Sequence, residues 1–546
     1  MNRLLICFST ALLAITSLAA TAAPIEYNII PRPAASRVDT AGGHFVIARG
    51  TLVVAPTAQT AQSAQYLARY CEQYLGLPLR VAASARAGEP AIELSIAGSG
   101  PHEGYTLQVD STGTGIAITG NDEAGLFYGV QSLLQLLPTR AGLIPHIAAG
   151  RIDDAPRFGY RGMLLDVVRH FFPVAYIEKY IDWLALHKMN VFHWHLTDDQ
   201  GWCIELKSHP ELTARGSYRA GEIKGFFPGV YHDMPYQAYY TQEQVKHIID
   251  YAAQRHVTVV PEIDIPGHCM AVLAAHPEFS TTPHEPKHTA RTWGIYNRQN
   301  NVLAPTPQVF QFLTDVFTEV CQLFPGPYVH AGGDECAPKW WEESHETRRF
   351  MKKHNLKNGQ ELQSYFENYV RRVINAQGKI MMGWSGGAEG VDPQGSIIED
   401  WLHRSLTSAR DIDSTHHYIM ASSRWYYLNS HEDSLQTDLQ PPRKVLPVKD
   451  VYNFNILPDS ATAVQRSLLL GIEGCVWTEY QPDTWKIEHI LMPRLSAIAE
   501  RAWSLESKKD YDDFARRLVR QLDRYDLWGV RYNHSFERSL PVPRER

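Results

Sequence analysis

Eight short apolar segments constrain this chain more than any other feature, because they alternate with longer segments from about residue 153 onward. Each apolar segment has the length of a buried strand, and several of the intervening segments carry apolar residues at helical spacing. Strands that alternate with helices predict a parallel sheet covered by those helices. The eight predicted strands are residues 162–167, 191–196, 257–263, 327–329, 380–383, 396–398, 417–420 and 471–476.

Eight such strands predict an α/β fold, a (β/α)8 barrel of the TIM type. A doubly wound sheet is the alternative, but no glycine-rich phosphate loop follows the first strand. A chain of 546 residues exceeds one ordinary domain. We therefore expect a small α/β accessory domain over residues 24–152 and the barrel over residues 153–505. The charged, helically periodic residues 506–546 are expected to form an extension that packs on the barrel.

The N-terminus has the pattern of a secretory signal peptide over residues 1–22. Arg3 precedes an apolar stretch over residues 4–18, and small residues at 20–22 favour cleavage after Ala22 or Ala23. This pattern predicts a periplasmic or secreted protein with no membrane insertion after cleavage, because no later segment is apolar enough to span a bilayer. An oxidising compartment permits disulfides, but the sequence assigns no pairs, and buried free thiols fit it as well. The mature cysteines are Cys71, Cys203, Cys269, Cys321, Cys336 and Cys475.

Composition limits the partners. The net charge is −7 and no basic run stands out, which excludes nucleic acid as an expected partner. We expect no cofactor, and the oligomeric state stays open.

Polar and aromatic residues follow nearly every predicted strand. In a barrel of this type the carboxyl ends of all strands meet at one rim, where active sites lie. The residues expected at this rim are Asp166, Arg169, Asp198, Asp199, Asp264, His268, Asp334, Glu335, Trp384, Trp401, Tyr426, Tyr427, Asn429, Trp477 and Glu479.

Two adjacent carboxylates, Asp334 and Glu335, follow the fourth strand directly behind Gly332 and Gly333. Like charges this close predict a raised pKa for one of them. The glycines are expected to leave room for the ring of a ligand near the backbone. A pair of acids in one cleft is the equipment for cleaving a glycosidic bond. Because successive strand residues face opposite sides, we do not expect the two acids to oppose each other across that bond.

Several ordered motifs resemble glycoside hydrolase family 20, the β-N-acetylhexosaminidases. The motifs are residues 161–171, residues 190–202 (NVFHWHLTDDQGW), residues 261–268 (PEIDIPGH), residues 330–335 (HAGGDE), Gly383-Trp384, Tyr427-Leu428 and residues 476–479 (VWTE). The resemblance implies a catalytic barrel behind an N-terminal accessory domain. It also implies a retaining exo-hydrolase that releases terminal N-acetylglucosamine from β-linked glycans, with N-acetylgalactosamine left open.

The resemblance assigns catalytic roles by position. Glu335 is the general acid, and its pKa is expected above that of a free glutamate because of burial and the charge of Asp334. Asp334 accepts the N–H of the substrate's own acetamido group, whose oxygen attacks the anomeric carbon. Asp198, His268 and Asp264 form a relay behind the acid.

The resemblance also implies substrate contacts. Arg169 binds sugar hydroxyls and Tyr427 donates to the acetamido carbonyl. The aromatic walls are Trp384, Trp401 and Trp477, and the acceptor for distal hydroxyls is Glu479.

Two positions depart from the family pattern. Asn429 stands where members often have Asp, which bears on recognition of the 4- or 6-hydroxyl. Trp384 is followed by Ser385 and Gly386, where many members have Asp and Glu, which bears on accessory subsites.

Two other functions fit the residues. A metal-dependent hydrolase is one, because six possible ligands cluster near two strand ends; they are His193, His195, Asp198, Glu262, Asp264 and His268. A non-catalytic amino-sugar-binding protein is the other, and it predicts binding without turnover.

Overall fold

The computed structural model describes residues 25–224, 231–293, 295, 300–402, 414–435 and 445–540. The predicted signal peptide lies outside these residues, and so do the last six residues of the predicted C-terminal extension.

A mixed seven-stranded sheet forms the N-terminal part, in the order β1-β9-β6-β7-β5-β3-β4. Neighbours are antiparallel from β1 to β7 and parallel from β7 to β4. Two helices, α1 (Ala58–Leu75) and α2 (Glu123–Leu136), pack on each other and on this sheet. The N-terminal part has nine strands, of which β2 and β8 pair with each other outside the seven-stranded sheet. Their bounds are β1 Ala35–Val38, β2 His44–Val46, β3 Leu52–Val54, β4 Arg80–Ala82, β5 Ala91–Ile96, β6 Tyr105–Val109, β7 Gly115–Gly120, β8 His146–Ala148 and β9 Gly150–Asp154.

Eight parallel strands then close a barrel in the order β10-β11-β18-β19-β20-β21-β22-β23, as the eight apolar segments predict. Their bounds are β10 Tyr160–Asp166, β11 Val191–His195, β18 Thr258–Glu262, β19 Tyr328–His330, β20 Ile380–Trp384, β21 Ser396–Asp400, β22 His417–Met420 and β23 Leu469–Val476. Three short antiparallel pairs lie between β11 and β18: β12 Thr197–Asp198 with β13 Gly201–Trp202, β14 Tyr218–Arg219 with β17 Tyr236–Gln237, and β15 Glu222–Ile223 with β16 Tyr231–His232.

Helices follow most barrel strands, but β20 and β21 are joined only through a single 3-10 turn, Ala388–Gly390. The ends of the helices follow local rules: Thr306 caps α6 through its side chain and Pro307 occupies the first turn. The helices are α3 Val174–Leu186, α4 Gln242–Ala253, α5 Met270–Ala275, α6 Pro307–Leu323, α7 Lys339–Glu343, α8 His345–Lys353, α9 Gly359–Ala376, α10 Val448–Asn453, α11 Ala463–Leu468, α12 Thr484–Leu491, α13 Arg494–Trp503, α14 Tyr511–Leu527 and α15 Ser535–Arg538.

The barrel interior is layered. An apolar floor lies at the amino ends of the strands, and an aromatic cluster lies at their carboxyl ends. Between them is a fully buried layer of ionisable side chains, with Glu473 accepting from the Tyr160 hydroxyl at 2.6 Å and lying 2.7 Å from His193 Nδ1. The other members of this layer are Glu262, His330 and Glu399. The site at the rim therefore packs on a layer of buried ionisable side chains and not on apolar ones.

Within the described residues no helix has the length and apolar character that a bilayer span requires. The six described cysteines are all buried free thiols, so no disulfide forms among them.

The two domains are joined through buried ion pairs. The Lys188 ammonium, fully buried, lies 3.2 Å from Asp154 Oδ2 at the end of β9. Asp154 also accepts hydrogen bonds from Tyr105 in β6 and from Trp503 in α13. Burial lowers the pKa of Lys188, and Asp154 opposes that shift. Asp154 thus holds β9, the barrel and α13 together.

Replacing Asp154 by Ala should lower the free energy of unfolding by about 3–5 kcal/mol, because it leaves the Lys188 charge buried and unpaired. The measurement is the first transition in urea unfolding. Asp153→Ala is the control, because Asp153 is about half exposed and pairs only with the equally exposed Arg151. Equal effects of the two substitutions would contradict this account of the interface.

Candidate functional site

A glycine-rich loop carries the paired acids directly after β19. Gly332 and Gly333 have φ of +67° and +98°, values that side chains other than glycine rarely adopt. A Cβ on Gly332 would lie 1.8 Å from Asp264 Oδ1, and one on Gly333 would lie 2.7 Å from Glu367 Oε1. The expectation that these glycines leave room for a ligand ring is therefore wrong. The space belongs to Asp264 and Glu367, and the glycines let the loop turn tightly over them.

Asp334 and Glu335 are in this loop and not in a strand, so the alternation argument for their directions does not apply. Glu335 has a φ of +45°, which is strained for a non-glycine residue. The side chain of Glu335 is 46% exposed and that of Asp334 is 18% exposed. Asp334 lies deeper, and its Oδ1 is buried without a hydrogen-bond partner among the described residues.

His268 lies between the acids and a second pair of carboxylates. Its Nε2 is 3.5 Å from Glu335 Oε2 and 3.8 Å from Asp334 Oδ2. Its Nδ1 is 3.1 Å from Asp198 Oδ1 and 3.2 Å from Asp199 Oδ2. Burial lowers the pKa of His268, but Asp198 and Asp199 outweigh burial and hold that pKa well above its usual range. His268 is thus an imidazolium that faces Glu335.

The carboxylate of Asp198 contacts three cationic side chains. Its Oδ2 is 2.7 Å from Arg169 Nη2 and 2.9 Å from His195 Nε2, while its Oδ1 faces His268. Burial raises the pKa of Asp198, but Arg169 and His268 outweigh burial and hold it well below its usual value. Asp198 therefore stays ionised and fixes all three partners.

The network continues below the rim. His195 Nδ1 contacts Glu262 Oε2, and Glu262 Oε1 accepts from Trp384 Nε1 at 2.6 Å. Glu262 and Asp198 outweigh burial and raise the pKa of His195 to about 9. A continuous chain of contacts thus links Trp384, through Glu262, His195 and Asp198, to His268 and the acids.

Asp264 supports the loop rather than His268. Its Oδ1 accepts from Gly333 N at 3.0 Å, and no hydrogen bond joins Asp264 to His268 among the described residues. Burial and the charge of Asp334 raise the pKa of Asp264 well above its usual value. Of the residues expected in the relay, Asp198 and His268 are in direct contact, Asp199 lies beside them, and Asp264 hydrogen-bonds to the loop.

The expected raised pKa falls on Asp334 and not on Glu335. Burial raises the pKa of Asp334 to about 6, with Glu335 adding to the shift and His268 opposing it. The hydrogen bond from His268 and the charge of His268 lower the pKa of Glu335. The expectation of a raised pKa for Glu335 is wrong, because Glu335 is partly exposed and faces a cation.

Aromatic rings form the wall and floor beside these acids. Trp401 and Tyr427 are nearly parallel, with ring centroids 6.4 Å apart, and Trp477 lies 5.8 Å from Tyr427 and 5.9 Å from Trp384. The Arg169 guanidinium lies over Trp477 at 5.1 Å. The structure therefore brings together five of the residues predicted at the rim, namely Arg169, Trp384, Trp401, Tyr427 and Trp477.

The two departures from the family pattern have different surroundings. Ser385 Oγ lies 3.2 Å from Asp400 Oδ1 and accepts from Trp401 N at 3.2 Å, so Ser385 fixes the Trp401 wall. Asn429 is buried, and its Oδ1 has no partner among the described residues.

Glu479 lines one cavity together with Arg169.

The sequence analysis did not assign His195 and Glu262 to the carboxylate and aromatic site, and it gave Asp199 a place at the rim but no role. His195 and Glu262 were considered only as metal ligands, yet each is tied into hydrogen-bonded pairs of the network. His193 instead points to Glu473 and Glu262 inside the barrel, so the six proposed ligands do not converge on one point. His193 and His195 are two residues apart in one strand, so both lie on its interior face. This spacing is the feature of the sequence from which their place in the network could have been predicted.

A protonated histidine beside two carboxylates, with aromatic walls at a barrel rim, defines a site of the glycosidase class. The catalytic-domain model of glycosyl hydrolase family 20 matches residues 158–506, and the domain 2 model of that family matches residues 26–155. The chain therefore belongs to glycosyl hydrolase family 20.

Relatives agree with this membership. A β-hexosaminidase of Porphyromonas gingivalis is 36% identical over 527 residues, which is 95% of this chain but 65% of that protein. The chain thus spans slightly less than two thirds of that relative. The structure of a Vibrio harveyi exo-β-N-acetylglucosaminidase in complex with N-acetylglucosamine superposes with a TM-score of 0.80 at 28% identity, covering 94% of this chain and 79% of that chain. A mutant Streptomyces plicatus β-hexosaminidase in complex with its product superposes at 0.77 and 31% identity, covering 93% and 96%.

Proposed function

We propose that this protein is a retaining exo-β-N-acetylhexosaminidase that releases terminal N-acetylglucosamine from β-linked glycans, with N-acetylgalactosamine as the open second substrate. The observation that carries the proposal is the buried, unpartnered Oδ1 of Asp334. A buried carboxylate oxygen without a donor is costly unless a ligand supplies the donor. An acetamido N–H beside the anomeric carbon is such a donor.

In the proposed reaction the substrate supplies the nucleophile. The acetamido oxygen forms a bond to the anomeric carbon as the glycosidic C–O bond breaks, and the leaving oxygen takes a proton from Glu335. The nitrogen becomes more positive as the oxazolinium ring forms, and ionised Asp334 stabilises that charge. Glu335 then removes a proton from water, whose oxygen attacks the anomeric carbon and reopens the ring, so the configuration is retained.

His268 supplies the proton that Glu335 needs. The raised pKa of His268 and the lowered pKa of Glu335 place the proton on His268 before substrate binds in this proposal, and His268 Nε2 lies 3.5 Å from Glu335 Oε2. A sugar that enters the site excludes water from Glu335, and burial favours the neutral acid. The proton then moves from His268 Nε2 to Glu335, while Asp198 and Asp199 retain the hydrogen bond at Nδ1.

The remaining rim residues bind the sugar in this proposal. Trp384, Trp477 and Tyr427 surround the acetyl group, and the Tyr427 hydroxyl donates to its carbonyl so that the oxygen is held for attack. Arg169 and Glu479 line one cavity and contact the distal hydroxyls. Asn429 contacts the 4- or 6-hydroxyl in this proposal, as a neutral side chain at a position where a carboxylate is common in the family.

The alternative functions are less well supported. The six ligands of the metal hypothesis are separated into the interior layer and the rim network. A sugar-binding protein without turnover has no need for an imidazolium that faces a partly exposed carboxylate.

We propose, on the pattern of residues 1–22 alone, that the protein is exported to the periplasm or the medium. Mass spectrometry of the protein recovered from these fractions should find an N-terminus at Ala23 or Pro24. Full-length protein confined to the cytoplasm would contradict export.

The acidic limb of activity should be set by Asp334. Its pKa is about 6, and only the ionised form supplies the negative charge that stabilises the developing oxazolinium ion, so kcat/KM should fall as the pH drops through about 6. The measurement is the pH profile of kcat/KM for the wild type and Asp334→Asn. The residual activity of Asp334→Asn should show no such limb. An unchanged acidic limb in that variant would assign it to another group.

Substrate choice tests the proposed function itself. We expect turnover of an aryl β-N-acetylglucosaminide and none of the matching aryl β-glucoside, because only the first carries the nucleophilic acetamido group. The measurement is aryl release with and without EDTA, which should make no difference. Equal turnover of both substrates would overturn the assisted mechanism, and loss of activity in EDTA would favour the metal-dependent alternative.

A further inference from the structure

Two histidines and a glutamate come together on the outer side of the barrel. His209 and Glu211 precede a π turn, Leu212–Gly216, and His276 directly follows α5, which packs on that turn. One ligand atom from each residue lies within 4.8 Å of the other two. None of the three belongs to the rim network.

The spacing of the ligand atoms fits a small metal ion. Glu211 Oε1 is 3.0 Å from His276 Nε2 and 3.3 Å from His209 Nδ1. Two ligands about 2.0–2.1 Å from a tetrahedral zinc ion lie about 3.3 Å from each other. Both distances are therefore close to the edge of a zinc tetrahedron.

Hydrogen bonding alone does not account for this cluster. The Nε2 atom of His276 is buried and has no hydrogen-bond partner among the described residues, although it is 3.0 Å from a carboxylate oxygen of Glu211. The orientation of that contact is thus not that of a hydrogen bond. A metal ion between nitrogen and oxygen satisfies both atoms.

A second set of contacts orients the ligands. His276 Nδ1 lies 3.1 Å from Glu278 Oε1, so Nε2 is the nitrogen left to bind an ion. Carboxylate–histidine pairs orient ligands in the same way at zinc sites. The His276 ring stacks on Phe279 at 4.6 Å, and the His209 ring packs edge-on against Phe312 at 4.9 Å. The two rings are therefore held in place before any ion arrives.

The charge of the cluster also suits a dication. Asp315 Oδ2 lies 3.5 Å from His209 Nε2, so the carboxylates of Glu211, Glu278 and Asp315 surround two imidazoles. Mixed nitrogen and oxygen ligands favour zinc over calcium or magnesium, which prefer oxygen alone.

We propose that His209, Glu211 and His276 bind one divalent zinc-type ion, with water as the fourth ligand. The ion would tie the π turn to the end of α5, a helix that begins directly after the His268–Cys269 pair. The site is structural, because its ligands lie outside the proposed catalytic machinery.

The test is zinc binding by the tag-free full chain after removal of metals with EDTA. Wild-type protein equilibrated with Zn²⁺ should retain about one ion per chain by mass spectrometry of the metal, and its Tm should rise with the Zn²⁺ concentration. His276→Gln and Glu211→Gln should lose the bound ion and the rise in Tm, with turnover of the aryl β-N-acetylglucosaminide unchanged. Wild type that retains no ion overturns the proposal.

His247→Gln is the matched control, because His247 contacts a carboxylate, that of Glu178, at the surface and away from the cluster. It should retain the ion. Variants that still bind one ion would place it elsewhere, for example at His268, and overturn the proposal. If both variants fail to fold by circular dichroism, the Co²⁺ spectrum of the wild type decides, since intense tetrahedral bands support the site and their absence contradicts it.

Discussion

The rest of the site depends on one buried carboxylate, that of Asp198. It accepts from Arg169 and contacts His195 and His268, so one buried anion faces three cationic groups. Asp166, Glu262 and Asp199 supply the further negative charge beside those groups. Removing it would leave uncompensated charges in the barrel, which is far more costly than losing a surface ion pair. The charge of His268, and through it the pKa of Glu335, follows from this arrangement.

The buried layer beneath the rim explains how such charges are tolerated. Glu262 contacts His195 and accepts from Trp384, so the wall of the proposed acetyl pocket and the proton-carrying histidine share one chain of contacts. On the other side, Asp264 and the two glycines fix the loop that presents Asp334. The acid and the acceptor therefore lie in a loop that hydrogen bonds and close packing hold in place, as preorganised electrostatic catalysis requires.

The barrel was predictable because each strand is an apolar run and the period of the pattern changes between strand and helix. The rim residues followed from the same logic, since parallel strands bring their carboxyl ends together. The wrong inferences came from contacts that no local pattern contains. Gly332 makes room for Asp264, which is 68 residues earlier in the chain, and Glu335 carries a lowered pKa because His268 lies opposite it.

The central claim is that Asp334 Oδ1 receives the acetamido N–H of the substrate. Calorimetric titration with a thiazoline analogue of the bicyclic intermediate tests it most directly, because the ring nitrogen of this ligand, once protonated, presents an N–H to Asp334 while binding needs no proton from Glu335. The account predicts that Asp334→Asn weakens binding of the analogue by about ten- to a hundredfold, as expected for a lost hydrogen bond to a charged group, while Glu335→Gln binds it nearly as well as the wild type. Equal affinity of wild type and Asp334→Asn would contradict the claim.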